Sequence, residues 1–521
     1  MYLLASENSL KIQGFLNILK KKLGLLLCIS MCMIALISFT EYGISWDEEY
    51  QRKIGLVNYE YIFSDSKELL TFNERDYGVA FELPLILIEK ALNLTDSRDI
   101  FFMRHLVTHL FFLIGCFFFF LLIDFLYKNK LLAAIGFFLI VLHPRIYGHS
   151  FFNSKDIPFL TMFMISMYFT VIAFKKRSVF NFIVLGLCVG LLVNIRIIGI
   201  MMFATILTLL FIDAIVKKEL LKHTKLAMIF VLSSAFILYA TWPFLWIDPI
   251  NNFILVLKNM SQFRWDSILL FKGVFIKGTE IDWSYIPVWV SITTPIGYLL
   301  LGVLSSILLL FHFFKNPTSI LYDSILRHNL TFLFYAFTPV VAVIVLHSVL
   351  YDGWRHLFFI YPPFIMLVVF WIDYFKGKIK WASITLLVLF FTHSIFFMVK
   401  NHPFQHVYFN QFATFSHPEY IRKHFELDYW GTSYKQSLEY ILKIDESPTI
   451  DIHVENYPGT FNKYILPIAE RNRINIVPEQ EATYFITNYR WHPQDYDFPE
   501  SQKVFSITVQ RNTITQVFKI R

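Results

Sequence analysis

The chain has 521 residues, of which 56% are hydrophobic, 18% are aromatic and only 16% are charged, and its mean hydropathy is +0.53. A soluble domain does not carry so apolar a composition, so the sequence predicts a polytopic α-helical membrane protein. The formal net charge of +7 comes from Lys and Arg residues clustered in short loops, a pattern that argues against a nucleic-acid partner.

Apolar windows of roughly 17 to 25 residues predict about eleven transmembrane helices. The third is short for a full crossing, and the eighth is long enough to tilt in the bilayer. The predicted spans lie near residues 24–44, 101–126, 131–143, 157–174, 179–195, 198–216, 226–246, 288–314, 329–350, 356–375 and 381–399.

Positive charges cluster in every second loop between these spans, and the positive-inside rule assigns those loops to the cytoplasm. The clusters are Lys20 to Lys22, Lys128 with Lys130, "KKR" at 175–177, "KKELLKHTK" at 217–225, Lys315 with Arg327, and "KGKIK" at 376–380. The longer loops 45–100, 144–156 and 247–287 are then expected at the outer face, together with everything after residue 400.

The chain changes character after its last predicted span. Residues 1–400 are predicted to form the transmembrane domain, and residues 401–521 a soluble extracytoplasmic α/β domain. The latter contains an amphipathic helix at "YKQSLEYILKI" and strand-like runs at "TIDIHVE", "INIVP", "ATYFITNY" and "VFSITVQRNTITQVFKI".

Charged residues that are unusual beside apolar helices gather at the predicted outer face. They are Asp47, Glu48 and Glu49 in "SWDEEY" after the first span, Arg145, Lys155 and Asp156 in "HPRIYGHSFFNSKDIPF" between the third and fourth, Arg196 in "NIRIIG" between the fifth and sixth, and Asp352, Arg355 and His356 in "YDGWRHLFFIYPP" between the ninth and tenth. Because the threading brings these segments to one face, we expect them to form a single polar site.

The carboxylates each have a simpler interpretation. Asp47 and Glu48 could belong to a solvated loop beside the membrane. Asp156 precedes Ile-Pro, a pattern typical of a helix N-cap with proline near the helix start.

The cations are open to the same question. Arg145 and Lys155 could extend to the headgroup region by snorkelling, and Arg355 with His356 stands at the end of a span. Arg196 is the exception, since its neighbours are apolar and no acid is close in sequence. An arginine at that depth needs a partner, and a phosphate is a suitable one.

Carboxylates beside cations suit the transfer of a group from a phosphorylated lipid carrier. A carboxylate can act as general base on an acceptor hydroxyl, and the cations can neutralise the charge that develops on the leaving phosphate. The sequence has no P-loop, Rossmann glycine pattern, GxSxG or HExxH motif, which weakens energy-coupled and common hydrolytic alternatives.

These motifs together resemble the GT-C membrane glycosyltransferases, in particular the branch of the protein O-mannosyltransferases and aminoarabinose lipid A transferases (glycosyltransferase family 39-like). The resemblance lies in "SWDEEY", "NSKDIPF", "YDGWRHLFFIYPP" and "HPFQHVYFNQF" followed by "DYWGTSYKQSLEYI". Members of this branch take a sugar from a polyprenyl or dolichyl phosphate at the outer membrane face and invert its anomeric configuration.

The resemblance implies a role for each candidate residue. Asp47 matches the acidic residue proposed as base, with Glu48 beside it as the alternative. Asp156 matches the acidic residue of the second outer loop, which orients the acceptor or helps to bind a cation. The donor phosphate is then held by Arg196, Arg355, His356, Arg145 and Lys155. Whether a divalent cation takes part stays open, because the superfamily contains enzymes of both kinds.

The sequence departs from the protein-mannosylating enzymes in one respect. Its central outer loop, 247–287, is too short for the β-trefoil domain that those enzymes often carry, which argues against a protein acceptor. The acceptor therefore remains undefined between a lipid, a glycan and a protein, and a bacterial inner membrane with a periplasmic active site is the expected location.

Two other classes of protein are weighed against a transferase. A transporter or lipid-linked sugar flippase would place its polar site near the bilayer midplane, often between repeated halves, whereas these spans carry almost no charge and show no repeat. A membrane scaffold would leave Arg196 and the acidic motif without a role.

Overall fold

The computed structural model describes residues 22–261, 265 and 267–521. Lys20 and Lys21 of the predicted N-terminal basic cluster lie outside the described residues. Within them, nine helices are long and apolar enough to cross a membrane, and the chain is an integral membrane protein. These helices are Lys22–Glu41, Ser97–Tyr127, Asp156–Lys176, Ile197–Lys217, Leu220–Ala240, Ile296–Lys315, Ser324–Val345, Arg355–Tyr374 and Gly377–Lys400.

The two other predicted spans also correspond to apolar helices. The short third span is a bent pair, Lys130–Val141 and Pro144–Phe152, whose axes meet at 66°. Proline lacks an amide hydrogen and cannot continue a helix from the preceding turn, so the bend falls at Pro144. The fifth predicted span is the shorter helix Val179–Ile195.

Small residues bring two of these helices close together. An added Cβ would lie 2.7 Å from the Phe230 carbonyl oxygen at Gly186, and 2.6 Å from the Ser234 carbonyl oxygen at Gly190. Helix Val179–Ile195 therefore packs against Leu220–Ala240 with its backbone nearly in contact. Close approach through glycine is a common way to pack helices where lipid removes the hydrophobic drive for association.

The remaining elements lie mostly in the loops and the C-terminal region. Their α-helices are Glu48–Phe63, Glu82–Ala91, Pro249–Ser261, Tyr285–Thr293, Ser319–Tyr322, Gln411–Thr414, Tyr420–His424, Tyr434–Ile444, Tyr457–Asn462 and Ile468–Arg471. A small antiparallel hairpin, β1 (Ile268–Phe271) and β2 (Val274–Lys277), occupies the central loop.

The C-terminal region contains a five-stranded mixed sheet. Its strands are β3 (Ile450–Val454), β4 (Ile474–Ile476), β5 (Tyr484–Thr487), β6 (Lys503–Val509) and β7 (Asn512–Lys519), in the spatial order β4-β3-β5-β7-β6. Strand β3 pairs parallel with β4 and β5, and β7 pairs antiparallel with β5 and β6. Helix Tyr434–Ile444 coincides with the predicted amphipathic helix and covers the sheet with its apolar face. The predicted helical membrane protein with a C-terminal α/β unit is confirmed.

The C-terminal region packs on the segment that follows the first membrane helix. The Asn462 side chain donates to the Ile44 carbonyl at 2.9 Å, and the Tyr42 hydroxyl donates to the Gln405 side chain at 3.0 Å. The Trp46 amide donates to the Trp430 carbonyl at 3.0 Å. These contacts place the C-terminal region directly beside Asp47. The domain boundary near residue 400 stays a prediction.

Candidate functional site

Arg355 lies at the centre of a cluster of carboxylates at one end of the membrane helices. Its Nη1 is 3.3 Å from Asp47 Oδ2 and 3.2 Å from Asp156 Oδ2, and its Nη2 is 3.1 Å from Asp352 Oδ2. The arginine is only 2% exposed. A buried guanidinium needs counter-charges on each edge, and three segments distant in sequence supply them here.

Asp47 is the accessible carboxylate of the cluster. It occupies the N-cap position of helix Glu48–Phe63, but its side chain makes no capping hydrogen bond and is therefore available to Arg355. The Asp47 side chain is 34% exposed, whereas that of Asp156 is 1% exposed. Partial burial raises the pKa of Asp47 above that of an ordinary aspartate, against the opposing effect of Arg355.

Asp156 is held from several directions at the start of helix Asp156–Lys176. One oxygen accepts from Asn153 Nδ2 at 2.9 Å and from Arg355, and the other pairs with Arg196 Nη1. Asn153 in turn accepts the Asp156 amide at 2.9 Å. The carboxylate is thus not used as a helix cap, and its geometry suits the positioning of two arginines.

A cavity of about 180 Å³ adjoins this cluster. Lys155, Arg196 and His356 contribute polar side chains to its wall. Most of the remaining wall is apolar and includes Ile195, Ile197, Ile198, Trp242, Val256, Val343, Val349 and Leu350. Asp76 also lines the wall, so the cavity combines two basic side chains and one acidic side chain with an apolar lining suited to a hydrocarbon chain.

The environment of Lys155 disfavours its charged form. Its ammonium lies 3.5 Å from the centre of the Tyr77 ring. Burial lowers the pKa of Lys155 to about 7, and the nearby positive charge of Arg196 adds to the effect. The amine is therefore poised to change its protonation state near neutral pH.

Two further spaces continue from the cavity towards the surface. The first, of about 190 Å³, shares Asp76, Tyr77 and Met260 with it. The second is a groove of about 780 Å³ that shares Glu74 with the first. This groove is lined by charged, polar and aromatic residues, among them Glu49, Arg52, Lys53, Tyr50 and Tyr457. Glu49 and Tyr50 of this groove follow Asp47 closely in the sequence.

Glu48 and Arg145 lie outside the Arg355 cluster. Glu48 is 2% exposed; its Oε1 is 2.9 Å from His105 Nε2, and its Oε2 accepts the Ser45 amide at 2.7 Å. Arg145 donates from Nε to the Tyr408 carbonyl at 2.8 Å and lies 4.7 Å from the centre of the Phe409 ring. Both residues hold neighbouring segments together.

Glu48→Gln is expected to lower the melting temperature while reducing transfer much less than the corresponding change at Asp47. Glutamine can still accept the Ser45 amide, but it removes the charge that faces His105. Thermal unfolding and single-time-point transfer in membranes with matched protein levels would measure both effects. A loss of transfer as large as that of Asp47→Asn would instead make Glu48 the base.

Three residues that complete the site had no role assigned from the sequence. Asp352 bridges Arg355 and Arg490, and the Trp430 ring centre lies 4.6 Å from the Arg355 guanidinium carbon. Asp352 was recognisable as part of "YDGWRH". Nothing in "TNYRWHP" or "DYWGTS" indicates that Arg490 or Trp430 would return to the membrane helices.

The residues present do not fit a divalent cation. Across residues 22–261 and 267–521, no group of three or more His, Cys, Asp or Glu side chains is arranged to hold a metal ion. Asp47 and Asp156 instead share the guanidinium of Arg355, which takes the position that a cation between them would need. Arginine and lysine are the positively charged groups that lie beside these carboxylates in the described part of the chain.

A comparison with protein-family models agrees with the sequence resemblance. Residues 87–246 match the family model of the dolichyl-phosphate-mannose-protein mannosyltransferases, a segment that includes Lys155, Asp156 and Arg196. No curated protein matches the chain. The fold is similar to the crystal structure of ArnT from Cupriavidus metallidurans bound to undecaprenyl phosphate, with a TM-score of 0.45 and 9% identity over 95% of this chain and 98% of that chain. The family match confirms the predicted resemblance of the chain to the GT-C membrane glycosyltransferases.

Proposed function

We propose that the protein is an inverting glycosyltransferase that moves a sugar from a polyprenyl-phosphate donor to an acceptor at the outer face of the cytoplasmic membrane. The observation that carries this proposal is the cavity with Lys155, Arg196 and His356 beside apolar walls. A polyprenyl phosphate has the same two parts, an anionic head and a hydrocarbon chain. The match of residues 87–246 supports glycosyltransferase chemistry.

The cations of the site stabilise the leaving phosphate. As the bond between the anomeric carbon and the phosphate oxygen breaks, negative charge grows on that oxygen. Arg196 and Lys155 face the cavity, and Arg355, whose neighbour His356 lines the same cavity, pairs with Asp47. Preorganised cations in a water-poor site stabilise such charge more strongly than water does.

Asp47 serves as the general base. The acceptor hydroxyl forms the new bond to the anomeric carbon from the side opposite the phosphate, its proton passes to Asp47, and the polyprenyl phosphate leaves with the bonding electrons. Attack from the opposite side inverts the anomeric configuration. The exposed face of Asp47 and the groove beside Glu49 and Tyr50 support an acceptor that arrives from the aqueous side.

The direct test is transfer of labelled sugar by membranes that contain the wild-type protein, with a panel of polyprenyl-phosphate sugars as donors. Label that moves into a new product, together with inverted stereochemistry at the anomeric carbon, would support the proposal and name the sugar. Movement of intact donor between leaflets without any product would contradict it and would identify a flippase.

The perturbed amine of Lys155 makes donor-phosphate affinity depend on pH. The amine is charged below its pKa of about 7 and neutral above it, so binding of undecaprenyl phosphate is expected to weaken as pH rises through this value. Lys155→Arg keeps its charge throughout, because arginine does not lose its proton in this range. The ratio of the two affinities between pH 6 and 8 cancels the titration of the ligand itself. A ratio that does not change with pH would show that Lys155 makes no charged contact with the phosphate.

A further inference from the structure

We propose that Arg490, in the C-terminal region, is a positioning residue that holds Arg355 in place for the donor phosphate by way of Asp352. This role rests on the function proposed above. It makes the C-terminal region a component of the active site rather than a separate binding module.

The contacts form an unbroken chain. Arg490 Nη2 is 2.9 Å from Asp352 Oδ1, and the other oxygen of the same carboxylate is 3.1 Å from Arg355 Nη2. Arg355 then uses Nη1 for Asp47 and Asp156. Because Asp352 is bonded on both oxygens, its orientation fixes the plane of the Arg355 guanidinium.

The backbone on both sides of this contact adopts a conformation that side chains rarely take. Tyr489 and Trp491, which flank Arg490, have φ angles of 59° and 64°, and Asp352 has a φ of 56°. Left-handed φ values are unusual for bulky residues and cost free energy at each position. These unfavourable backbone conformations occur at the three positions that bring Arg490 to Asp352. Unfavourable conformations of this kind are concentrated where a contact matters for function.

Arg490 is also enclosed by aromatic rings from both parts of the protein. Its guanidinium carbon lies 4.8 Å from the Trp46 ring centre and 5.0 Å from that of Trp491. Its Nη1 donates to the Tyr429 carbonyl. Trp46 directly precedes Asp47, so the same side chain that anchors Asp352 also contacts the segment carrying the base. Cation–π contacts of this kind strengthen when they are shielded from water.

The balance of charges in the site explains why loss of Arg490 would weaken binding of the phosphate. The carboxylates of Asp47, Asp156 and Asp352 lie among the cations of Arg355, Arg196, Arg490 and Lys155. Without Arg490, Asp352 would be partnered by Arg355 alone and would draw it away from the cavity. The site would lose one positive charge at the same time.

Binding of undecaprenyl phosphate to the purified full-length protein tests this role. Arg490→Gln is expected to weaken binding by about 10- to 100-fold, less than the loss of a direct partner in a desolvated charge pair, because Arg490 acts through Asp352 and Arg355. Arg490→Lys keeps the charge and is expected to recover much of the affinity. Undecaprenol, which has no phosphate, should bind the wild type and both variants equally.

Two further variants separate positioning from folding. Arg473→Gln removes another arginine of the same region, one that donates to the main-chain carbonyls of Ser447 and Leu442. It should leave phosphate affinity near that of the wild type. In an Asp352→Asn background, Arg490→Gln should have little further effect. Equal weakening by Arg473→Gln, or full affinity in Arg490→Gln, would overturn the positioning role alone. Absence of phosphate-dependent binding by the wild type would overturn the proposed donor as well.

Discussion

Asp47→Asn is expected to reduce sugar transfer by about 100- to 10,000-fold, the range that general base catalysis contributes. Asparagine has nearly the same shape and can still accept the hydrogen bond from Arg355, so the cluster around that arginine should persist. It cannot take a proton from the acceptor hydroxyl at neutral pH. Binding of undecaprenyl phosphate should survive, because the cavity is lined by Lys155, Arg196 and His356 rather than by Asp47.

The measurement is transfer of labelled sugar in membranes with equal amounts of each variant, followed by undecaprenyl-phosphate binding to the purified proteins. Glu60→Gln is the matched control, since it removes an exposed carboxylate of the same helix, Glu48–Phe63, that does not line the groove. Asp47→Glu should restore part of the activity. Transfer by Asp47→Asn at the wild-type rate would remove Asp47 from catalysis and shift the assignment to Glu48 or Asp156.

The membrane helices and the C-terminal sheet could be predicted because their patterns are local. Most predicted spans correspond to a single apolar helix, and "YKQSLEYILKI" forms the helix Tyr434–Ile444. The eighth, expected as one long tilted helix over 288–314, is instead divided into Tyr285–Thr293 and Ile296–Lys315, because Pro295 interrupts the helix. The single run "VFSITVQRNTITQVFKI" became two strands, because Gln510 and Arg511 both take left-handed φ angles and form a tight turn. Two consecutive left-handed residues without glycine give little signal in the sequence.

The candidate site could be predicted only in part. Its residues lie at the ends of different helices, and the sequence does not give how those ends pack together. The predicted orientation of the membrane helices was enough to place five residues at one membrane face: Asp47, Lys155, Asp156, Arg196 and Arg355. It could not separate Glu48 from Asp47, since adjacent residues at a helix start point in different directions and only one faces Arg355. The predicted orientation also did not indicate that Arg490 joins the site, because the position of Arg490 depends on how the C-terminal sheet docks.

Arg355 pairs with the proposed base, Asp47, and is also proposed to neutralise the leaving phosphate. Arg355→Gln is therefore expected to affect both roles. Transfer should fall by about 100- to 1,000-fold, the loss typical of removing one preorganised donor to a developing oxyanion. Loss of the guanidinium also leaves Asp47, Asp156 and Asp352 without their shared counter-charge. Arg355 lowers the pKa of Asp47 in the intact protein, so its removal should raise that pKa further.

This shift gives a readout that a purely structural defect would not produce. A general base works only when deprotonated, so transfer falls as pH drops through the pKa of Asp47. In Arg355→Gln the acidic limb of the pH–rate profile should therefore move to higher pH. Arg355→Lys keeps a positive charge near Asp47 and should leave the limb closer to its original position, although lysine cannot reach three carboxylates at once.

Arg145→Gln is the control for loss of a buried arginine. Arg145 is 1% exposed and lies at the same end of the helices, but its guanidinium bonds to a main-chain carbonyl and stacks on aromatic rings. Removal of this guanidinium should lower the stability of the protein without shifting the acidic limb of the pH–rate profile. If both variants lose activity with unchanged pH profiles, Arg355 acts only on folding. A shift confined to Arg355→Gln would show that one guanidinium both tunes the base and neutralises the leaving phosphate.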